Sequence, residues 1–333
     1  MYYNVYMKKQ ILLSGVKPTG RPHVGNYFGA MKQFVDLQDS GHEVYAMIAD
    51  IHALNFIQDG KKMRDEITEL CLDYLAIGLD PKKIVLFQQS EVKVHTELGW
   101  IFSSLTTFPY AQRAHTYKDA VEKGNMSDYS VGDFTYPMLM AADILLYSPD
   151  VVPVGKDQKQ HIEFARDFAQ KFNTTYGDTF KLPKEIISEE VGVVIGSDGR
   201  KMSKSYGNQL ALFATEEETI KYIKGIAMDS KGIDEKKNPD DYALYEIAKL
   251  FVTNSQDKEL RAMFEQGGVG YGDIKMHVAK IVNEYLRPMR ERRKLLVKNP
   301  QKVKSILKQG GKRASKVANK KMEEVRRKVG LVL

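Results

Sequence analysis

The sequence of 333 residues contains a single cysteine, Cys71. One thiol excludes an intrachain disulfide and any metal or iron–sulfur cluster held by cysteines. Cys71 lies in the apolar helical pattern Ile67, Leu70, Cys71, Tyr74, Leu75, which marks it as a buried structural thiol. No apolar run approaches the roughly 20 residues that span a bilayer. The stretch from Met1 to Lys9 lacks the basic-then-apolar order of a secretory signal. A soluble, cytoplasmic protein with no membrane partner is expected. His42, His52, His95, His115 and His277 show no paired metal spacing, so no protein-held metal is expected. Internal repeats and low-complexity segments are absent.

What is present is apolar mass: 43% of residues are hydrophobic, enough for one large domain and a smaller one. Charge is unevenly spread. The net charge is +7, yet from Arg287 to Leu333 there are 17 Lys/Arg against 3 Asp/Glu. The remainder holds 33 basic and 40 acidic residues and is mildly acidic. A basic end on an acidic body fits either a polyanion contact or a solvated helical face.

The first two-thirds alternates strands and helices. Strands are expected at Ile11 to Gly15, Val44 to Asp50, Ile84 to Phe87 and Val151 to Val154. Helices are expected from Gly25 to Leu37, from Met63 to Ile77, from Thr135 with Pro137 in its first turn, and up to about Phe172. Apolar strands separated by amphipathic helices predict a Rossmann-type α/β fold, a doubly wound parallel sheet covered on both faces. After about Tyr206 only helices are expected: Glu216 to Gly225, Tyr242 to Asn254, Lys258 to Glu265, Ile274 to Val297 and a basic stretch from about Pro300 to Val329. This predicts an all-helical C-terminal domain.

Two segments carry chemistry. The turn Gly15 to Asn26 follows the first strand, where ligands gather in such sheets. Its glycines admit a phosphate, but it is neither a P-loop nor a Gly-x-Gly-x-x-Gly fingerprint. The second segment runs from Gly199 to Asn208 and contains Lys201-Met202-Ser203-Lys204-Ser205. Its small, polar and basic residues predict a mobile loop whose ammonium groups could neutralise phosphoryl charge. Either segment alone reads as an ordinary turn.

A third segment, Thr135 to Tyr147, holds Asp143 as its only charged residue. Tyr136, Met140 and Asp143 are spaced i, i+4, i+7 and share a helix face. That face offers a phenol, a thioether and an acceptor, which suit an indole ring with its one N–H. A purely structural Asp143, bonded to backbone or an arginine, is the alternative.

Together, His23-Val24-Gly25-Asn26 and Lys201-Met202-Ser203-Lys204-Ser205, about 180 residues apart, resemble the signature pair of class I aminoacyl-tRNA synthetases. The family's first motif reads His-Ile-Gly-His; Val24 and Asn26 depart from it, and Asn is a familiar variant in the tryptophanyl branch. The stretch from Thr135 to His161 is similar to tryptophanyl-tRNA synthetases, and the likeness extends from about Ile11 to Asn208.

The resemblance implies a tryptophan–tRNA ligase using ATP with Mg2+, tryptophan and tRNA(Trp). It implies that Asp143 accepts the indole N–H, that Met140 lines the ring pocket, and that Tyr136 and Gln158 hold the ammonium. Lys17, Pro18, Thr19, His23, Gly25 and Asn26 would line the ATP site. Gly155 and Asp157 would meet the ribose, with Lys156 between them, and Val193 the adenine. Met202, Ser203 and Ser205 would close over the pyrophosphate with Lys201 and Lys204. Those two lysines and Lys118 would be the catalytic cations, while a second family lysine is Ala120 here.

The resemblance also implies a homodimer meeting through Trp100 to Lys118. Residues 1–208 would form the catalytic domain, 209–290 the anticodon-recognition domain, and 291–333 basic helices packing back on the catalytic domain. A tyrosyl-tRNA synthetase and a non-charging paralogue that binds tryptophan or ATP are the competing readings.

Overall fold

The computed structural model describes residues 10–154, 159–187 and 194–332. Five strands form one parallel sheet: β1 (Ile11–Val16), β2 (Glu43–Ile48), β3 (Val85–Gln88), β4 (Val151–Val154) and β5 (Lys184–Ile187), in the order β3-β2-β1-β4-β5. Leu12 faces Val44 and Gly15 faces Met47 across the β1–β2 pairing. β5 was not expected from the sequence, because Lys184 and Glu185 break the apolar run that marks the inner strands.

Alternate strand residues point to opposite faces, and each face has its own core. Leu12, Val44, Ala46 and Leu86 enter one; Leu13, Tyr45, Met47 and Phe87 enter the other. The first helical stretch runs through α1 (Val24–Asn26), a π turn (Tyr27–Met31) and α2 (Lys32–Leu37). After β2 come α3 (Asp50–Ala53) and α4 (Gly60–Ile77), the latter covering the first face with Ile67, Leu70 and Tyr74. Cys71 lies fully buried there, and burial followed by the charge of Asp73 pushes its thiol up to about 12. That is a structural, unreactive thiol.

The second face is covered by α5 (Val94–Leu105), α8 (Val131–Leu145) and α9 (Lys159–Tyr176), with α6 (Phe108–Ala111) and α7 (His115–Glu122) between them in sequence. α8 begins four residues before the expected Thr135. Ser130 and Asp133 form a reciprocal capping box, while Thr135 merely donates to the Val131 carbonyl at 2.9 Å. Pro137 therefore sits inside the helix. Its missing N–H leaves the Asp133 carbonyl without its usual donor, and the Tyr129 phenol donates there instead at 2.8 Å.

Beyond Asn208 the described chain forms helices: α10 (Glu216–Gly225), α11 (Ala243–Ala248), α12 (Asn254–Glu265), α13 (Tyr271–Val297) and α14 (Pro300–Val329). The expected helix from Tyr242 to Asn254 is shorter, since Thr253 caps a new helix through Gln256. Leu244, Phe264, Ile274 and Val278 belong to one apolar core continuous with that of the first sheet face. α14 returns to pack along β3. Among the described residues no helix is long and apolar enough to cross a membrane.

Candidate active site

β1 pairs with β2 on one side and β4 on the other, so the chain reverses direction across the sheet at β1. A crevice opens beyond the carboxyl ends of strands at such a switch point. Here it is a cavity of about 580 Å³. Gly15, Lys17 and Thr19 line it from β1 and the following turn, and Gly29, Ala30 and Gln33 from the π turn and α2. α8 contributes Asp133, Tyr136, Met140, Asp143 and Ile144, one continuous helix face. The structure thus gathers Lys17, Thr19, Tyr136, Met140 and Asp143 around one space.

The aromatic end is built around Asp143, only 1% exposed. Gln89 Nε2 donates to both carboxylate oxygens at 2.8 and 2.9 Å. His52 Nε2 lies 2.8 Å from Oδ2, and His95 Nδ1 bonds Oδ1. The other nitrogen of His95 meets the Tyr147 hydroxyl at 2.9 Å. Burial alone would raise the Asp143 carboxyl, but the charge and hydrogen bonds of His95 and His52 outweigh it and hold it at about 2. Asp143 is therefore an ionised, acceptor-only group at neutral pH.

His52, Gln89 and His95 were not predicted as site residues. No motif or spacing in the sequence marks any of the three, and only the fold brings α3, the turn after β3 and the start of α5 onto α8. Tyr136 also belongs to this end, with its hydroxyl 2.6 Å from His161 Nε2.

The two signature segments lie outside the cavity lining, beyond Thr19, and they touch each other. His23 caps α1: its Nδ1 accepts the Asn26 N–H at 3.2 Å while Asn26 Oδ1 accepts the His23 N–H at 3.0 Å. Burial, then the charge of Lys204, lowers the His23 imidazole to about 4, so it is neutral and free to accept. Met202 is buried against the turn, its Sδ 3.3 Å from the Gly25 N–H. Lys204 Nζ donates to the Thr19 carbonyl at 3.0 Å. Gly20, at φ +89°, leaves the space that ammonium occupies; a Cβ there would lie 2.9 Å from it.

The loop expected to be mobile is pinned by buried Asn208. Its Oδ1 accepts the Ser203 N–H at 2.9 Å, and its Nδ2 donates to the Lys201 carbonyl and to Asp198 at 3.1 and 2.7 Å. Lys201, Lys204 and Ser205 are exposed and do not line the cavity; of the three, Lys204 reaches the Thr19 rim. Lys118 is exposed on α7, two residues beyond the lining residue Thr116, and does not line it either. Ala120 is buried. Lys17 does line the cavity, with Nζ 4.5 Å from the Phe56 ring centre. Burial lowers its ammonium pKa, opposed by the charge of Asp133. Gly155, Lys156, Asp157, Gln158 and Val193 lie outside the described residues.

The first signature turn is also tied to the C-terminal helices. Asp73 on α4, fully buried, receives Arg293 Nε of α13 at 2.7 Å and Arg21 Nε of the turn at 3.3 Å. Burial raises the Asp73 carboxyl, with both guanidinium groups opposing. A buried carboxylate between two arginines is costly to break from either side.

Comparison with known proteins places this geometry. The family described as tRNA synthetases class I (W and Y) matches residues 7–287. A tryptophan–tRNA ligase of Fusobacterium nucleatum is 46% identical over 321 residues, 96% of this chain and 98% of that one. A tryptophan–tRNA ligase of Campylobacter jejuni is 43% identical over 320 residues, 96% of this chain and 99% of that one. A crystal structure of the Campylobacter jejuni tryptophanyl-tRNA synthetase complexed with ADP and tryptophan superimposes with a TM-score of 0.90 at 43% identity, covering 96% of this chain and 99% of that one. With both signature segments in contact above the switch-point cavity, the chain belongs to the class I aminoacyl-tRNA synthetases, on their tryptophanyl branch.

Proposed function

We propose that the cavity activates L-tryptophan with ATP and that the aminoacyl group then passes to tRNA(Trp). The observation that carries this reading is Asp143: an ionised acceptor fixed on three sides beside Met140 and Tyr136, in a cavity large enough for an aromatic amino acid. An indole offers one N–H donor to such an acceptor and an apolar ring to the thioether. Tyr136 would face the substrate ammonium, as would Gln158.

Adenylate formation needs no general base, because the substrate carboxylate is already ionised. It attacks the α-phosphorus of ATP, and pyrophosphate leaves. Catalysis then rests on positioning and on charge stabilisation. Lys17 in the cavity wall would meet phosphate oxygens, as would Lys204 at the Thr19 rim and Lys201 on the same loop. Two unit charges about 4 Å apart gain about 1 kcal/mol in water and about 4 at an effective dielectric near 20. The lysines therefore count most when the loop excludes water. In the second step the terminal ribose hydroxyl of tRNA attacks the acyl carbon and AMP departs.

Among the described residues no three His, Cys, Asp or Glu side chains gather to hold a metal. The magnesium that accompanies ATP would be held by phosphate oxygens and water, and its chemistry is charge neutralisation on the phosphates. Lys118 would approach the phosphates only from outside the cavity. The helices of 209–290 would read the anticodon, and those of 291–333 would brace the catalytic domain. Trp100 and Phe108, 74% and 62% exposed, suit a homodimer face. The setting would be the cytoplasm.

Aminoacylation with purified tRNAs and with tryptophan, tyrosine and phenylalanine tests this reading. Charging of tRNA(Trp) with tryptophan is expected. Preferred charging with tyrosine, or pyrophosphate exchange without any charging, overturns it.

A further inference from the structure

α14 sorts its cations by face. Arg313 donates to the Pro81 and Ile84 carbonyls at 3.0 and 2.9 Å. Lys321 donates to the Thr179 carbonyl and to Glu324. Arg326 grips Glu97 with two nitrogens. Each of these serves the seam between the helix and the catalytic core. The seam is close: a Cβ at Gly310 would lie 1.8 Å from the Leu86 carbonyl oxygen, and one at Gly311 would lie 2.8 Å from Glu91 Cβ. The two glycines let the helix lie on the free edge of β3, which would otherwise invite another strand.

The outward face is different. Lys304, Lys308, Lys312, Lys316 and Lys320 are all exposed, and each stands four residues from the next. Successive residues at that spacing lie about 6 Å apart along the axis, so the row is about 24 Å long. Among the described residues none of the five has a carboxylate partner. Like charges at i, i+4 destabilise a helix, and here four such pairs occur in succession. A merely solvated face would gain from interspersed acids, yet α14 carries 11 Lys/Arg and only 2 Glu over Pro300–Val329. The row is rigidly mounted and uncompensated, and it winds about 160° around the outward side of the helix from Lys304 to Lys320.

We propose that this lysine row is a docking track for the phosphodiester backbone of tRNA, outside both the activation cavity and the anticodon-reading helices. The proposal rests on the tRNA-charging reading above. Phosphate contacts fix register without reading bases, so the track holds the tRNA body while other elements choose it. Cations on a polyanion act by releasing counterions, which makes the contact steeply salt-dependent.

The test is the full-length protein with Lys308, Lys312, Lys316 and Lys320 all replaced by Gln, beside a fourfold Lys→Arg control. Tryptophan-dependent pyrophosphate exchange is expected unchanged within about twofold, since no row residue lines the cavity. The KM for tRNA in aminoacylation is expected to rise at least tenfold, equally for tRNA(Trp) binding and for competing non-cognate tRNA. The slope of log affinity against log salt is expected to fall by about 3, as four lost phosphate contacts imply. The Lys→Arg control should keep wild-type values. An unchanged tRNA KM and salt slope overturns the proposal. So does a parallel collapse of exchange, which would make the row a structural element. Loss confined to tRNA(Trp) also overturns it, because backbone contacts carry no base identity. Failure of the wild type to charge any tRNA would instead break the charging reading itself.

Discussion

The aromatic end of the cavity and the proposed phosphate site beside it are built on opposite plans. At the aromatic end Asp143 is buried, ionised and already bonded to His52, Gln89 and His95. At the proposed phosphate site Lys201 and Lys204 are exposed on a loop that touches the first signature turn at a few points. Selecting a side chain needs an acceptor that is in place before the ligand arrives, since reorienting a buried carboxylate is costly. Stabilising a leaving pyrophosphate draws on charge kept near solvent, because burial lowers the pKa of an ammonium group. Lys17 in the cavity wall and Lys204 on the loop both show that downward pull.

Several substitutions separate the two ends. The largest effect is expected from Lys204→Ala: single-turnover adenylate formation slowed about 10²–10³-fold, with tryptophan affinity by equilibrium dialysis within twofold of wild type. Equal losses in both would erase the division between the ends. Next comes Asp143→Asn, which gives up the charged acceptor and leaves two histidines facing an amide. Tryptophan affinity should fall roughly 10–100-fold, as for a lost hydrogen bond to a charged group, and the preference for tryptophan over tyrosine in pyrophosphate exchange should shrink with it.

Asn208→Ala frees the Lys201 carbonyl and the Ser203 N–H. Exchange should slow about tenfold through loosened positioning, again without change in tryptophan affinity. A variant at wild-type speed would show that the loop needs no such anchor.

The smallest effect appears only in acid. Asp143 is held at about 2 against an ordinary value of 3.8. A carboxyl lowered in the folded state contributes stability above its unfolded pKa and loses it as pH falls through the folded one. That contribution is about 2 kcal/mol, disappearing between roughly pH 4 and pH 2. Urea unfolding of wild type and Asp143→Asn from pH 5 to pH 2 should show their stabilities converging over that window.

The sequence carried four of the five parallel strands, both signature segments and the shared face of Tyr136, Met140 and Asp143, because each is a local pattern of residue type and spacing. It hid what only packing assembles. His52 and His95 stand 43 residues apart in the chain and looked like isolated histidines, yet both end on Asp143. The start of α8 was misplaced because Pro137 looks like a first-turn residue, and nothing local announces that Tyr129 will serve the carbonyl it abandons. Asn208 was visible only as the end of a polar loop. Gly310 and Gly311 drew no notice within the basic stretch, whereas the pair is what seats α14 against β3.

The most direct test of the central claim leaves the protein untouched. Wild-type pyrophosphate exchange is measured with tryptophan and with tryptophan methylated on the indole nitrogen, which removes the donor that Asp143 is held to receive. A site built to bond a donor discriminates strongly against its absence, so kcat/KM should fall by at least about 10²-fold. Comparable rates with both substrates would contradict the assignment of Asp143 and, with it, the account of how this cavity selects tryptophan.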